Sequence, residues 1–245
     1  MKNEIFMRKI AFYSCLIDDY DYLFEPNKDL RKFFNFYLFT NNTKLQSKSW
    51  NIIRVKKKIN SFYTNRYFKI LLHDKILKYE YSIYFDSNIF LKWNILYLLN
   101  KFINSGRSIG LLKHSSRISV DQELNQNLLK KKISNKSYLF IKNFYKKRKY
   151  FSKNDLTENG IIFRKHDDKN LLPLMNLWWK ITTFFFIRRD QITLPYSLWK
   201  KKVIPKIFNI NIWNDTRYFF ILPHKKKVFY HKIYIFMLFY LKKLV

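Results

Sequence analysis

The chain has 245 residues, long enough for one domain with a sizeable core, and its 48 Lys and Arg against 17 Asp and Glu give a formal net charge of +31. Such a charge points to an anionic partner, but Lys, Asn, Ile, Phe and Tyr dominate and Gly occurs only 3 times, the pattern of A/T-rich coding DNA, so part of the excess is drift onto solvated faces. The single cysteine, Cys15, excludes an intramolecular disulfide framework and a cysteine-based zinc site, and fits a reducing compartment.

The opening "RKIAFYSCLIDDYD" turns acidic too soon for a signal peptide and reads as a first core strand over 9–17. "FYLFT", 36–40, is a second strand, ended by Asn41 and Asn42. Tyr67, Ile70, Leu71 and Leu77 recur at helical spacing and predict a helix over 64–78, capped by Thr64 or Asn65. A strand over 80–86 follows, then a helix with Ile95, Leu98, Leu99, Phe102 and Ile103 on one face and Asn94 as cap. The Lys-rich stretch 124–153 predicts surface helices, "GIIFRKH" (160–166) a strand, and 173–187 a strongly apolar helix ended by "RRDQ". After Pro205 the pattern is less regular. The tail, 228–245, is aromatic and flanked by lysines, which fits either a helix packed on the domain or an interfacial helix on an anionic membrane surface. Strands alternating with helices predict an α/β domain with a mostly parallel sheet over 1–227, carrying the tail as a helical appendage.

Asp86-Ser87-Asn88 ends the strand "YSIYF". Ligands of a parallel sheet lie outside the carboxyl ends of its strands. A carboxylate carried there can meet a divalent cation shared with substrate phosphates, although the same tripeptide is ordinary turn chemistry.

"AFYSCLIDDYD", "FYLFTNN", "NRYFKI", "YSIYFDSNI", "KHSSRISVDQE", "ENGIIFRKH", "NLWW" and "RRDQIT" follow one another in this chain. In these segments, over about residues 9–227, it resembles the glycosyltransferase-like family of the plant TOD and MUCI proteins and their bacterial relatives. The resemblance implies a GT-A-like fold, with a Rossmann-type sheet that binds a nucleotide sugar, a UDP-sugar first, together with manganese or magnesium. It implies transfer to a glycan or glycolipid acceptor, such as a cell-surface polysaccharide.

On that resemblance Asp86-Ser87-Asn88 takes the place of a D-x-D motif, Asn88 replacing the second carboxylate, and His224 of "ILPHKKK" is the candidate to complete the metal site. Asp21 falls where the family has "GYD", with Asp18 and Asp19 in place of glycines, and Asn41 replaces the Asp of "FTD". Arg66 and Lys69, three apart on one helical face, would reach the diphosphate. Tyr13 would stack on the base or fill the core. His114, Arg117 and Glu123 would orient acceptor hydroxyls; Trp178 and Trp179 offer an aromatic face to a sugar or pack in the core. Asp190 is the candidate base for the acceptor hydroxyl, held by capping the next helix, or else an ion-pair partner of Arg189; Gln191 would orient the sugar.

Two rival classes stand beside this reading. A basic nucleic-acid-binding protein is disfavoured because the aromatics lie inside apolar periodic segments, so no nucleic acid is expected as partner. A non-catalytic membrane-surface module rests on the tail alone. The expected location is cytoplasmic, peripheral on the inner face of a membrane.

Overall fold

The computed structural model describes residues 9–225, so the tail at 228–245 lies outside the described residues. β1 (Ile10–Leu16) sends Ile10, Phe12 and Leu16 into one apolar layer and Ala11, Tyr13 and Cys15 into the other. Both faces are covered, which is why the strand reads as an unbroken apolar run. The single turn α1 (Leu30–Phe33) leads into β2 (Asn35–Thr40), and β3 (Asn51–Arg54) follows.

The helix expected over 64–78 is two helices, α2 (Ser61–Ile70) and α3 (Asp74–Leu77). Asn60 caps α2, its side chain accepting from the Tyr63 N–H at 3.0 Å. Neither Thr64 nor Asn65 is a cap: Thr64 Oγ1 donates to the Asn60 carbonyl, and Asn65 Nδ2 donates to the Cys15 carbonyl. Leu71 is extended, and His73 starts the new turn by accepting the Lys75 N–H.

β4 (Tyr81–Phe85) and β5 (Ile89–Leu91) flank the acidic tripeptide. In α4 (Ile95–Asn104), Ile95, Leu98, Leu99 and Phe102 are buried on one face as the spacing predicts. Asn94 does not cap this helix with its side chain, because its own backbone is already helical and the Lys92 and Trp93 carbonyls accept the first N–H groups. The remaining elements are β6 (Ile109–Lys113), α5 (Val120–Leu129), α6 (Asn135–Lys147), β7 (Thr157–Lys165), α7 (Leu171–Phe185), a 3-10 turn at Asp190–Ile192, α8 (Leu194–Lys201), β8 (Lys206–Phe208) and β9 (Phe219–Ile221).

Seven strands form one sheet in the order β3-β2-β1-β4-β7-β6-β8, while β5 and β9 form a separate antiparallel pair. β7 runs antiparallel to β4 and β6; the other pairings in the large sheet are parallel. The expected α/β architecture, a mostly parallel sheet flanked by helices, is what the chain forms. One face packs against α4, and the other against α2, α3, α7 and α8, with Trp178 wholly buried among them. α5 and α6 build a third cluster against the end of α7 through Leu124, Ile141, Phe144 and Phe185. The strand order runs outward in both directions from β1, so the switch point of the sheet lies between β1 and β4. The loop after β1 and the tripeptide after β4 open there.

Candidate active site

The Asp86 turn is built from three directions. The Asp86 N–H donates to the Gly160 carbonyl on β7, and the Ile89 N–H donates to the Asp86 carbonyl, both at 2.9 Å. Tyr84 Oη donates to Asp86 Oδ1 at 2.7 Å, leaving a carboxylate side chain 34% exposed at the strand tip. Asn88 clips the turn to the chain beyond β9: Nδ2 donates to the Leu222 carbonyl at 2.9 Å, and the Leu222 N–H returns to the Asn88 carbonyl at 2.7 Å. His224 lies two residues further on. Its Nδ1 is 2.8 Å from Asp21 Oδ1, while Ser87 Oγ donates to Asp21 Oδ2 at 2.8 Å. The structure therefore gathers Asp21, Ser87, Asn88 and His224, which are far apart in sequence, around one turn.

Asp18 and Asp19, standing where glycines were expected, adopt the left-handed region at φ 54° and 49°. Such backbone is strained for non-glycine residues. Asn41 offsets part of it: the Asp18 N–H donates to Asn41 Oδ1 at 2.9 Å, and Asn41 Nδ2 donates to Asp18 Oδ1 at 2.7 Å.

Behind the turn sits a buried charge cluster. Lys69, 2% exposed, has its ammonium 3.4 Å from Asp86 Oδ1 and 3.1 Å from Asp190 Oδ2. Arg66 Nε lies 3.5 Å from the same Asp190 oxygen. Burial pushes the Asp190 carboxyl up, but the Arg66 and Lys69 cations outweigh it and hold the group below its ordinary range. Burial likewise works against the Arg66 charge, and Asp190 and Asp86 more than compensate, so its pKa is raised. The Arg189–Asp190 ion pair, the alternative role for Asp190, is not formed: Arg189 Nε turns to Asn127 Oδ1 at 3.2 Å, and Asp190 pairs with Arg66 and Lys69. Nor does the Asp190 side chain cap α8. Its backbone carbonyl accepts from Thr193 and from Trp178 Nε1, and those bonds fix the turn.

Tyr13 fills the core rather than offering a stacking face. It is 0% exposed, and Arg164 donates to its hydroxyl. Arg164, itself wholly buried, also donates to the Lys69 carbonyl at 2.6 Å, tying the last turn of α2 to β7. Trp178 is core as well, and Trp179 packs edge-on against Tyr63 and Tyr67.

His114, Arg117 and Glu123 do come together, beside the charge cluster's Asp190-Gln191 segment. Arg117 Nε bonds Glu123 Oε2, and Asn127 Nδ2 donates to Glu123 Oε1 at 2.7 Å. Burial lowers the His114 pKa, partly offset by Glu158. Glu158, which the sequence did not single out, links this group to Gln191 at 2.7 Å. Its "TENG" context has the composition of a turn, and its partners are remote in sequence.

Among the described residues no group of three or more His, Cys, Asp or Glu side chains is placed to hold a metal ion, and no helix is long and apolar enough to cross a membrane.

The family model described as "TOD1/MUCI70, glycosyltransferase-like domain" matches residues 2–226. The chain belongs to that family. Solved structures with a similar course include mouse xyloside xylosyltransferase 1 in its apo form, at TM-score 0.43 and 9% identity over 82% of this chain and 84% of that one. The mannosyltransferase Ktr4p of S. cerevisiae aligns at TM-score 0.41 and 8% identity, covering 78% and 66%. A Bacillus anthracis protein described as a glucose-1-phosphate thymidylyltransferase, in complex with a sucrose, aligns at 0.46 and 8%, covering 83% and 88%. At such scores these likenesses carry no argument about activity. A search by sequence among curated proteins gives no match. For this glycosyltransferase-like domain the family membership, and the site geometry above, bear the functional reading.

Proposed function

We propose that the chain transfers a sugar from a nucleotide-sugar donor, a UDP-sugar first, to a hydroxyl of a glycan or glycolipid acceptor, with the diphosphate held at the Asp86 turn. The observation that carries this reading is the position of Asp86, at the sheet's switch point with buried Lys69 directly behind it.

One manganese or magnesium ion would sit at this turn. Tyr84 and Lys69 engage Asp86 Oδ1, and among the described residues Oδ2 carries no hydrogen bond. Asp21 lies 2.8 Å from His224 Nδ1, the carboxylate–histidine arrangement common to metal-binding histidines. Asn88 gives its Nδ2 to Leu222 and retains its amide oxygen. Asp86 and His224 would hold the ion, with Asn88 beside them; ions of this kind commonly take one or two protein ligands and complete their shell with substrate phosphates. When bound, the ion would offset the charge of the departing nucleoside diphosphate.

Arg66 and Lys69 serve the same end as fixed cations, preorganised because Asp190 and Asp86 already hold them in place. Asp190 is then the anchor of that cationic pair; held between two cations, it is a weak proton acceptor. A tail on an anionic membrane surface would suit a lipid-linked acceptor and a peripheral, cytoplasmic enzyme.

A donor screen tests the reading. UDP- and GDP-sugars are incubated with the full chain in manganese and in chelator, and nucleotide release is followed. Metal-dependent release from one donor class supports the proposal, and no release from any donor in either condition counts against it.

A further inference from the structure

Gln191 has one side-chain partner among the described residues: its Nε2 donates to Glu158 Oε2 at 2.7 Å. The Glu158 side chain is 12% exposed, and an ionised carboxylate only accepts hydrogen bonds. An amide facing it must therefore present its N–H and turn its oxygen away. Glu158 is itself anchored. Its Oε1 accepts from Ser115 Oγ at 3.2 Å and lies 3.5 Å from His114 Nε2. His114 Nδ1 accepts the backbone N–H groups of Ser116 at 3.2 Å and Arg117 at 3.1 Å. Nε2 faces Glu158 Oε1 at 3.5 Å and Glu123 Oε2 at 3.9 Å, with the Arg117 Nη2 donor at 3.2 Å. The histidine of one motif and the glutamine of another are thus joined through a single residue on β7.

We propose that Glu158 is a positioning residue: anchored by Ser115 and His114, it fixes the Gln191 amide with Nε2 turned inward, so that Oε1 is the polar atom Gln191 offers to a substrate. An amide oxygen held in this way accepts a hydrogen bond from a sugar hydroxyl and rejects a ligand that can only accept. The inference deepens the sugar-transfer reading and takes its substrate class from it. His114 acquires a role within it as the outer anchor of a carboxylate.

Two measurements on the full chain separate this inference from that reading. The first is the side-chain amide of Gln191 in a 15N-labelled sample, identified by its loss in Gln191→Met. Glu158→Leu, and Glu158→Gln should the leucine variant unfold, are expected to shift this resonance pair and speed its exchange with solvent. An unchanged pair overturns the proposal whether or not any donor is turned over. The second is hydrolysis of the nucleotide sugar that the wild type accepts. Glu158→Leu is expected to lower kcat at least ~10-fold while nucleotide affinity stays within about twofold, with Glu158→Asp recovering part of the loss. Adding Glu158→Leu to Gln191→Met is expected to bring no further loss. Independent, multiplying losses, or a Leu variant with wild-type kcat, overturn it. A wild type that hydrolyses nothing refutes sugar transfer and leaves the amide measurement to decide the positioning.

Discussion

Lys69 and Asp190 form a buried ion pair 3.1 Å apart, the lysine 2% and the aspartate side chain 5% exposed. Lys69 lies at the end of α2 and Asp190 at the 3-10 turn after α7, so this pair welds two helical segments beneath the strand-tip carboxylate of Asp86. Removing one partner of such a pair strands a charge in the interior. Lys69→Met is expected to lower stability by about 3 kcal/mol, moderated because Arg66 remains beside Asp190. Urea unfolding checks this, and a wild-type midpoint would show that the pair is not closed in solution.

Asp190→Asn tests the anchoring role from the other side. It keeps the side-chain volume and releases both cations. Transfer is expected to fall by about 100-fold, with a native circular-dichroism spectrum and reduced urea stability. A proton-accepting role would give the same loss of rate with stability unchanged, so the stability measurement separates the two.

Acid sensitivity follows from His166, which is hydrogen-bonded at both ring nitrogens, to the Tyr79 carbonyl and Ser82 Oγ, each at 2.7 Å. Burial lowers its pKa to about 4. The unfolded chain takes up a proton near the ordinary histidine value, and the folded chain does not until far lower pH. Stability is therefore expected to fall by up to ~3 kcal/mol between about pH 6.5 and 4, then level off for this group. Asp18 adds a separate, lower window. Hydrogen bonds from Lys57, Ser61 and Asn41 bring its pKa down to about 2, so its contribution is present above the unfolded value and lost as the pH falls through 2. Urea midpoints of His166→Gln against wild type across pH 7 to 4 isolate the first effect.

Two glycines separate packing from function. A Cβ on Gly110 would lie 2.8 Å from the Phe102 ring and 3.1 Å from Phe163 Cβ, wedging α4 off β6. Gly110→Ala is expected to cost about 1–3 kcal/mol in unfolding experiments. On Gly160 it would meet Ile89 Cδ1 at 3.1 Å and Ile212 Cδ1 at 3.2 Å, with Asp86 Oδ2 at 3.5 Å. Gly160→Ala is expected to cost less stability and to weaken nucleotide binding at the Asp86 turn. Equal binding would show that the turn tolerates the displacement.

What the sequence displayed, and what it hid, divides along physical lines. Long apolar periodic segments showed themselves: β1, β4, α4 and α7 all read correctly, because burial of a whole face leaves a regular pattern. β3 did not, having only four residues, and β6 carries Gly110 because α4 crosses too closely for any side chain. The antiparallel course of β7 has no local signature, since a strand's direction is set by its neighbours. In the site, Asp86 announced itself by its place at a strand's end. Asp21 and His224, separated by 203 residues, meet only through the fold. Lys69 was marked by the family resemblance alone, and its burial, which nothing local shows, is decided by α2 packing on the sheet.

The central claim is that Asp86 binds a nucleoside diphosphate through a divalent cation. Calorimetric titration of UDP and GDP into wild type and Asp86→Ala, with manganese and with chelator, tests it most directly. The account predicts binding of one nucleotide by the wild type that requires the cation and disappears in Asp86→Ala. Binding that is equally tight in chelator, or unaltered by Asp86→Ala, would contradict it.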